Sequence, residues 1–356
     1  MNETPKIKKR RDSNFELLRI LATMLVMTVH LNWAAIKGNP VVGDLHNLPV
    51  STLYLVGMES FFLIGLNIFA LISGYFGIKA RVSGFLKFLA ICLFYSVGTA
   101  TVWYLIFPEK WDVWQWLQSW MVFSRTDLWY IPAYMTLYVI SPMLNAGIES
   151  IGIRKYGLVL GCFVAANMWG GWFWGGSLNP MGYNFVHILM MYLIGRYIAL
   201  SPAIKEYPWK KMRRISGWVY FVAGAVTMVM GLLLPVRLAY ANNSPWVLAS
   251  SISFFMFFKS WKFYNPWINR LAGGSFSTYV IHKHPLVWVG FLVPLSSWAW
   301  RSWGPGGFFL YSTGMILGVY LFSAAVDYLR GRLFALFSRR RARTKDPLSE
   351  LITEHS

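Results

Sequence analysis

Apolar runs of about twenty residues recur along almost the whole chain and are separated by short polar connections. This feature restricts the possible folds most strongly, because a helix needs about 20 apolar residues to cross a hydrocarbon core of about 30 Å. Backbone polar groups find no water in that core, so such runs cross it as helices. The pattern predicts an all-α, polytopic transmembrane helical bundle of about ten spans. The predicted spans are about 15–36, 53–76, 83–107, 128–148, 157–173, 184–200, 215–236, 246–260, 274–298 and 308–329.

Composition and charge agree with a membrane protein. The chain is 56% hydrophobic and 13% charged, too few charges to cover a soluble protein of 356 residues. Of its 33 Lys and Arg residues, 24 fall in the segments on the N-terminal side of the predicted membrane, five in the opposite loops and four within spans. By the positive-inside rule, this asymmetry predicts that both termini are cytoplasmic. It also explains the net charge of +19 without nucleic acid as a partner.

Three segments are predicted: a basic cytoplasmic N-terminus at 1–14, a ten-span membrane domain at 15–330 and a basic cytoplasmic tail at 331–356. The first apolar run has no small-residue cleavage site after it, so it is interpreted as an uncleaved span. Cys92 and Cys162 both fall within predicted spans, and the spacing of the chain's two cysteines offers no disulfide framework and no metal motif.

Two tryptophan-rich segments occupy predicted outer loops. WDVWQWLQSW at 111–120 predicts a helix lying in the membrane interface, and WGGWFWGGSLNPMGY at 169–183 carries no charged residue. One interpretation is the aromatic belt found at membrane surfaces. The other is a platform where aromatic faces and Asn179 or Asn184 meet a neutral sugar, and both can hold at once.

Ionisable residues within spans are costly, so each is a functional candidate. Lys87, Arg196 and Asp327 lie near predicted cytoplasmic ends and are interpreted as snorkelling or paired side chains. His187, near an outer end, is interpreted as a hydrogen-bonded packing residue. The remaining candidates are Glu16, Arg19, His30, Glu59, His282, Lys283 and His284.

Arg19 and His30 share the first span and are eleven residues apart. At 1.5 Å per residue, His30 lies about 16 Å beyond Arg19, which puts Arg19 near the cytoplasmic boundary and His30 near the midplane. Eleven residues are close to three helical turns, so both side chains project from one face. That face can line a path from the cytoplasm to the middle of the membrane. The alternative for His30 is a simple interhelical hydrogen-bond partner.

Four segments resemble, in order, motifs of the acyltransferase-3 family of membrane O-acyltransferases. RRDSNFELLRILATMLVMTVH at 10–30, with its Arg and His separated by ten residues, resembles the family's opening. NIFALISGYF at 67–76, LWYIPAYMTLYVISPMLN at 128–145 and SFSTYVIHKHPLVW at 275–288 resemble its later motifs. The resemblance covers nearly the whole chain, and it is closest to bacterial surface-polysaccharide O-acyltransferases. Ala70, where many members have Phe, and Lys283, where some have an acid, depart from the pattern.

The resemblance implies an O-acetyltransferase in the bacterial cytoplasmic membrane. It implies transfer of an acetyl group from cytoplasmic acetyl-CoA to a hydroxyl group of a surface or exported glycan or of a lipid-linked saccharide. Phosphates of coenzyme A need charge-assisted partners near the inner ends of the spans. The expected donor contacts are Arg19, Ser73, Lys79, Arg81 and Lys87.

His30 is the expected catalytic residue, either as a general base on the sugar hydroxyl or as the group that takes the acyl moiety. Glu59, near the middle of the second span, either orients or charge-balances His30 or is an unrelated interhelical partner. For Ser73, close helix packing beside Gly74 is the alternative to a donor contact.

The expected acceptor contacts are Trp129, Tyr130 and Tyr134, which begin the fourth span at its outer side. His282 is expected to contact substrate as well. It lies with His284 near the inner end of the ninth span, where proton or donor contacts and purely structural roles both fit.

Two other functions are compatible with ten spans and scattered charges. A transporter or flippase of a small solute or lipid-linked sugar is the main alternative, but the chain lacks an inverted repeat and matching Gly- or Pro-broken spans. An inactive membrane scaffold is the other, and it predicts no need for Arg19 or His30.

Overall fold

The computed structural model describes residues 11–42 and 45–343, with side chains to residue 336. The described chain is 82% helix and contains no β-strand, which confirms the all-α prediction. Most of the predicted terminal segments 1–14 and 331–356 lies outside the described residues. The helices are α1 (Ser13–Ile36), α2 (Val50–Phe62), α3 (Gly65–Phe76), α4 (Val82–Ile106), α5 (Val113–Gln118), α6 (Tyr130–Ala166), α7 (Phe185–Leu200), α8 (Pro202–Glu206), α9 (Trp209–Leu233), α10 (Val236–Ala239), α11 (Pro245–Lys259), α12 (Pro266–Leu271), α13 (Gly274–Lys283), α14 (Pro285–Val287) and α15 (Val293–Arg343).

Several helical stretches are long and apolar enough to cross a membrane. There are five of them within the described residues, and α7 and α11 are shorter apolar helices. The number of ten spans and the cytoplasmic location of both termini stay predictions. The five stretches are Ser13–Ile36, Val50–Phe76, Val82–Ile106, Trp209–Leu233 and Pro285–Leu336.

Two long helices are interrupted by a kink where the sequence predicts a connection between spans. Gly152 in α6 has φ 73°, and Gly304 in α15 has φ 62°. Glycine adopts positive φ without the steric cost that a side chain adds. Each kink therefore separates two apolar halves of one continuous helical stretch.

Helix α1 occupies the interior of the bundle. It contacts α2, α3, α11, α12, α13 and α15. The largest buried cluster joins Leu18 of α1 to Leu71 of α3, Ile188 of α7 and Phe255 of α11, all of them fully or almost fully buried. The helix that carries Arg19 and His30 is therefore held on several sides by packed apolar side chains.

Helices α3 and α7 cross with their backbones in close contact. A Cβ added at Gly195 would lie 2.9 Å from the backbone nitrogen of Tyr75, and one at Gly74 would lie 3.0 Å from the Cα of Tyr192. Small residues are common where helices approach so closely within a membrane. Gly74 thus has the packing role that the sequence suggested, and this crossing fixes the position of Ser73.

One end of the bundle, here called the N-end, is formed by residues 13–15, 75–81 and 258–269. Ser13 Oγ donates to Asn269 Oδ1 at 2.8 Å, and the ring of Phe15 stacks on that of Tyr75 at 5.1 Å. These contacts bring the start of α1 to the end of α3 and to α12. The basic residues in the segments of this end are Lys79, Arg81, Lys259 and Lys262.

A buried polar network of Asn and His side chains fixes the segment 167–184. His187 is 0% exposed, and its Nε2 lies 2.6 Å from Asn67 Oδ1. The role of His187 as a hydrogen-bonded packing residue is therefore confirmed. Asn179 is fully buried beside it, and the Asn184 side chain caps α7 by accepting from the His187 backbone N–H at 3.1 Å. Asn179 is therefore shielded from a surface sugar, whereas Asn184 stays partly exposed, and the platform at this segment stays a prediction.

Candidate active site

His30 of α1 and His282 of α13 are hydrogen-bonded to each other. Nδ1 of His30 lies 2.9 Å from Nε2 of His282. His282 is 1% exposed, whereas His30 is partly exposed. Helix α13 reaches this position because Gly274 packs directly against Ala324 of α15, with no side chain between them.

A backbone carbonyl decides which nitrogens of the pair carry protons. Nδ1 of His282 lies 2.6 Å from the carbonyl oxygen of Thr278, which can only accept a hydrogen bond. In a neutral imidazole, a proton on Nδ1 leaves Nε2 as the acceptor. Nε2 of His282 therefore accepts from Nδ1–H of His30. Nε2 of His30 is then left with its lone pair, oriented by two successive hydrogen bonds.

A cation and two aromatic rings surround the histidine pair. The Trp288 ring lies 5.8 Å from the His30 ring, and the ammonium of Lys283 lies 4.3 Å above Trp288. On the other side, the Tyr279 ring lies 6.3 Å from His282. Lys283 is also close enough to His30 for an electrostatic interaction.

Three tyrosines of α6 form a row that we call the tyrosine ladder: Tyr130, Tyr134 and Tyr138. Their spacing of four residues puts them on one helix face over about 12 Å. At one end, the Tyr130 ring contacts Tyr279 at 6.1 Å. At the other end, the hydroxyl of Tyr138 accepts from Arg81 N–H at 3.0 Å and donates to the Arg81 carbonyl at 3.1 Å. The ladder therefore runs from the histidine pair to the N-end.

Two phenol groups beside the histidine pair lack partners. The hydroxyls of Tyr130 and Tyr279 are buried, and neither donates a hydrogen bond within the part of the chain that the structure describes; that of Tyr279 lies close to the Tyr130 backbone. Leaving a buried hydroxyl unpaired costs roughly 1–3 kcal/mol. Each of these two hydroxyls therefore keeps a proton with which it can donate a hydrogen bond.

Arg19 lies beside the middle of the tyrosine ladder. Its Nη1 pairs with Glu16 Oε1 at 2.5 Å, and its side chain is 32% exposed. Tyr134 of the ladder lies beside both Arg19 and Ser73. Two of the predicted donor contacts are thus brought together. Tyr134, expected at the acceptor side, instead lies between the histidine pair and the N-end.

The other predicted donor contacts, Lys79, Arg81 and Lys87, are exposed at the N-end or near it. Asn145 Nδ2 donates to the Ile78 carbonyl at 3.1 Å and so holds the connection between α3 and α4. Among the described residues, none of these three cations forms an ion pair with a carboxylate. Their charges remain available for an anion.

Glu59 forms no hydrogen bond and no ion pair with His30 among the described residues. It is 3% exposed, and it lies close enough to Tyr183 for an electrostatic interaction. The ionisable groups that act on His30 are Lys283 and His282. The interpretation of Glu59 as the partner that orients His30 therefore finds no support in this arrangement.

Trp129 lies between Tyr183, the neighbour of Glu59, and Tyr130 of the ladder. Its ring meets Tyr183 edge-on at 5.9 Å and Tyr130 at 6.0 Å. Of the predicted acceptor contacts, Trp129 and Tyr130 therefore lie together on the side of the site that is remote from the N-end.

The pairing of His282 with His30 was not predicted from the sequence. His282 was expected near the inner end of its span, whereas the structure sets it level with His30. Tyr279 was assigned no role, although the motif at 275–288 contains it. The signal was there, because Tyr279 precedes His282 by three residues and so shares its helix face. His284, 1% exposed, has no partner for either ring nitrogen among the described residues.

Comparison with known proteins gives one match. Residues 12–326 match a family model that is described as an acyltransferase domain. The matched range includes the histidine pair, Tyr279 and the tyrosine ladder. No curated protein and no solved structure matches the chain.

Proposed function

The chain belongs to the acyltransferase-3 family and is a membrane acyltransferase, and on this premise we propose that it moves an acetyl group from cytoplasmic acetyl-CoA to a hydroxyl group of a surface or exported glycan. The observation that best supports this reaction is the lone pair on Nε2 of His30, oriented by His282 and the Thr278 carbonyl. The family match does not favour the transporter alternative.

In the proposed reaction, Nε2 of His30 accepts the proton of the acceptor hydroxyl. The oxygen attacks the thioester carbonyl, a C–O bond forms, and the C–S bond breaks. The proton on His30 Nε2 then passes to the leaving thiolate, so coenzyme A leaves as the free thiol. A positioned general base of this kind contributes about 10²- to 10⁴-fold to a rate. Attack by Nε2 itself, through an acyl-histidine, is the alternative route and uses the same lone pair.

The unpartnered hydroxyls of Tyr130 and Tyr279 suit the oxygen that becomes negative in the tetrahedral intermediate. Donors that are already in place stabilise such an oxyanion without reorganisation at the moment of reaction. The ammonium of Lys283, near His30 above Trp288, adds a positive charge to the same region. These three groups are proposed to lower the barrier to acyl transfer.

The donor is proposed to enter from the N-end. Lys79, Arg81 and Lys87 bind the phosphates of coenzyme A there, with charge-assisted hydrogen bonds. Arg19 and Ser73 contact the thioester-bearing arm as it passes Tyr134. The exposure of these cations and the course of the ladder from Arg81 to the histidine pair support this direction.

The acceptor is proposed to reach His30 from the opposite side, past Trp129 and Tyr130. A flat aromatic ring can stack on the apolar face of a sugar while its hydroxyls stay hydrated or hydrogen-bonded. The neighbouring Glu59 and Tyr183 supply polar groups on that side.

The overall proposal is tested by glycan analysis. Mass spectrometry of surface glycans from cells with and without the gene should show acetyl-sized increments only when the gene is present. Purified protein given acetyl-CoA labelled in its acetyl group should transfer the label to the same glycan. Identical glycans in the two strains, with no label transferred, would contradict the proposal.

A further inference from the structure

A groove lies between α9 and α11, two helices that carry neither member of the histidine pair. Its volume is about 430 Å³. Lys210, Arg213 and Arg214 line its basic part, and Trp218 and Phe221 continue along α9. Helix α9 packs mainly on α11 and α2, whereas the proposed donor contacts belong to α1, α3 and α4 or to their connections.

The basic part of the groove is at the N-end. Helix α11 ends there, since the Asn14 side chain of α1 donates to the Phe258 carbonyl at 3.0 Å. Phe257, the neighbouring residue of α11, lines the groove opposite α9. The three bases lie in the first two turns of α9, so they are level with the start of α1.

Within the described part of the chain, the three bases form no ion pair with an acidic residue. The ion pairs of the described residues all lie elsewhere, and the guanidinium of Arg213 is held 5.2 Å above the Trp209 ring. A second groove between α12 and α15 also contains arginines, but Asp327 lines it as well. The α9 groove therefore favours an anion. In the groove between α12 and α15, the carboxylate of Asp327 repels one.

The rest of the groove is apolar and faces outward. Trp218 is 70% exposed and Phe221 60% exposed, on a helix that is apolar and long enough to cross a membrane. Between them and the bases, Gly217 leaves space, because a Cβ there would be 3.9 Å from the nearest atom of Phe257. A ligand for this groove combines a phosphate with a hydrocarbon chain.

We propose that this groove is a binding site for an anionic phospholipid. The phosphate contacts Lys210, Arg213 and Arg214, and one acyl chain lies along Trp218, Phe221 and Phe257. Basic pockets between membrane helices on the cytoplasmic side suit such headgroups. Arginine adds planar, bidentate contacts to phosphate oxygens that a lysine cannot make.

The test is a lipid titration of the full-length purified protein in detergent, followed by native mass spectrometry. Phosphatidylglycerol and phosphatidylcholine with the same acyl chains are the probes. The wild-type protein should bind phosphatidylglycerol about tenfold more tightly, or better, than phosphatidylcholine. The triple variant Lys210→Gln/Arg213→Gln/Arg214→Gln should lose this preference.

Two further variants separate a built site from general attraction. The triple variant Lys205→Gln/Lys211→Gln/Lys262→Gln removes the same charge from residues that do not line the groove, so it should keep the preference. Gly217→Leu fills the groove without changing charge, so it should weaken binding of phosphatidylglycerol. Equal losses in the two triple variants would overturn the proposal, and so would normal binding by Gly217→Leu with an unchanged melting temperature.

Coenzyme A also carries phosphate groups, so it could occupy the basic part of this groove in place of a phospholipid. Inorganic phosphate and coenzyme A are therefore added as competitors at the concentrations that saturate the donor site. Neither should displace phosphatidylglycerol from the wild-type protein. Displacement by coenzyme A would make the groove part of the donor site and would contradict a lipid site.

Discussion

At the scale of single residues, two hydrogen bonds of His282 determine which nitrogens of the histidine pair carry protons. The Thr278 carbonyl fixes the proton of His282 on Nδ1, and His282 in turn fixes the proton of His30 on Nδ1. Nε2 of His30 therefore keeps its lone pair without a hydrogen bond from a carboxylate among the described residues. His282 is a positioning residue for His30 in this account.

His282→Leu should lower kcat by about 10²-fold, because Nδ1 of His30 loses its acceptor and the ring loses its orientation. His282→Gln should recover much of this loss, since its amide oxygen can accept the same hydrogen bond. The KM for acetyl-CoA should change little in both variants. Equal kcat losses in the Leu and Gln variants would mean that His282 only fills space.

Tyr130→Phe and Tyr279→Phe should each lower kcat by about 10²-fold, the usual effect of removing one oxyanion donor. Stability should stay the same or rise, because each change removes a buried hydroxyl that has no partner in the described chain. Tyr95→Phe is the matched control. Its hydroxyl donates to Asp327 Oδ1 at 2.5 Å, so its loss should lower the melting temperature and spare kcat. A normal kcat in both Tyr130→Phe and Tyr279→Phe would show that these hydroxyls do not stabilise an oxyanion.

At the scale of elements, the site depends on helices held at fixed distances. Helix α1 carries Arg19 and His30, and the close crossing of α3 with α7 places Ser73 near Tyr134. Pairing of Asp327 with Arg330 at 2.8 Å and with the Tyr95 hydroxyl joins α15 to α4. That pairing agrees with the interpretation of Asp327 as a paired residue near a helix end.

Gly74→Ala should destabilise the protein by about 1–3 kcal/mol, because the new methyl group meets the backbone of α7 rather than a movable side chain. The control is Gly98→Ala in α4, where a Cβ meets nothing within 4 Å. Thermal unfolding in the same detergent measures both. A melting temperature for Gly74→Ala that equals the control's would show that the crossing tolerates a side chain.

Elements that depend on local pattern were predictable, and contacts between distant segments were not. Helix α1 spans Ser13–Ile36, against a predicted run of about 15–36, because a single apolar stretch defines it. Arg19 and His30 were assigned to one helix for the same reason. The partner of His30 lies 252 residues away, and no local periodicity encodes such a contact. Glu59 was considered for that role from its depth alone, which does not determine the direction of a side chain.

At the scale of the whole molecule, the two substrates are proposed to approach the histidine pair from opposite sides. The cations of the N-end suit a phosphorylated donor, and the tyrosine ladder leads from them to the histidine pair. Trp129 and Tyr130 lie on the other side of that pair. We therefore propose that transfer takes place where the two paths meet, inside the bundle.

Orientation in the membrane is tested by cysteine labelling in intact cells, in a background where the exposed Cys162 is replaced by Ser. Ser177→Cys should react with an impermeant reagent, because the loop at 169–183 is predicted to be outside. Lys262→Cys, in an N-end segment, should react only after the membrane is opened. The reverse pattern would put the predicted donor contacts on the wrong side for cytoplasmic acetyl-CoA.

The central claim is that Nε2 of His30 performs the chemistry, and one measurement tests it most directly. Purified wild-type and His30→Ala proteins are reconstituted in lipid, and transfer of labelled acetyl from acetyl-CoA to the glycan acceptor is followed over time. Turnover by His30→Ala should fall by at least about 10²-fold, while its melting temperature and its binding of acetyl-CoA stay unchanged. Near-normal turnover by the folded His30→Ala protein would contradict the account and leave His30 as a packing residue.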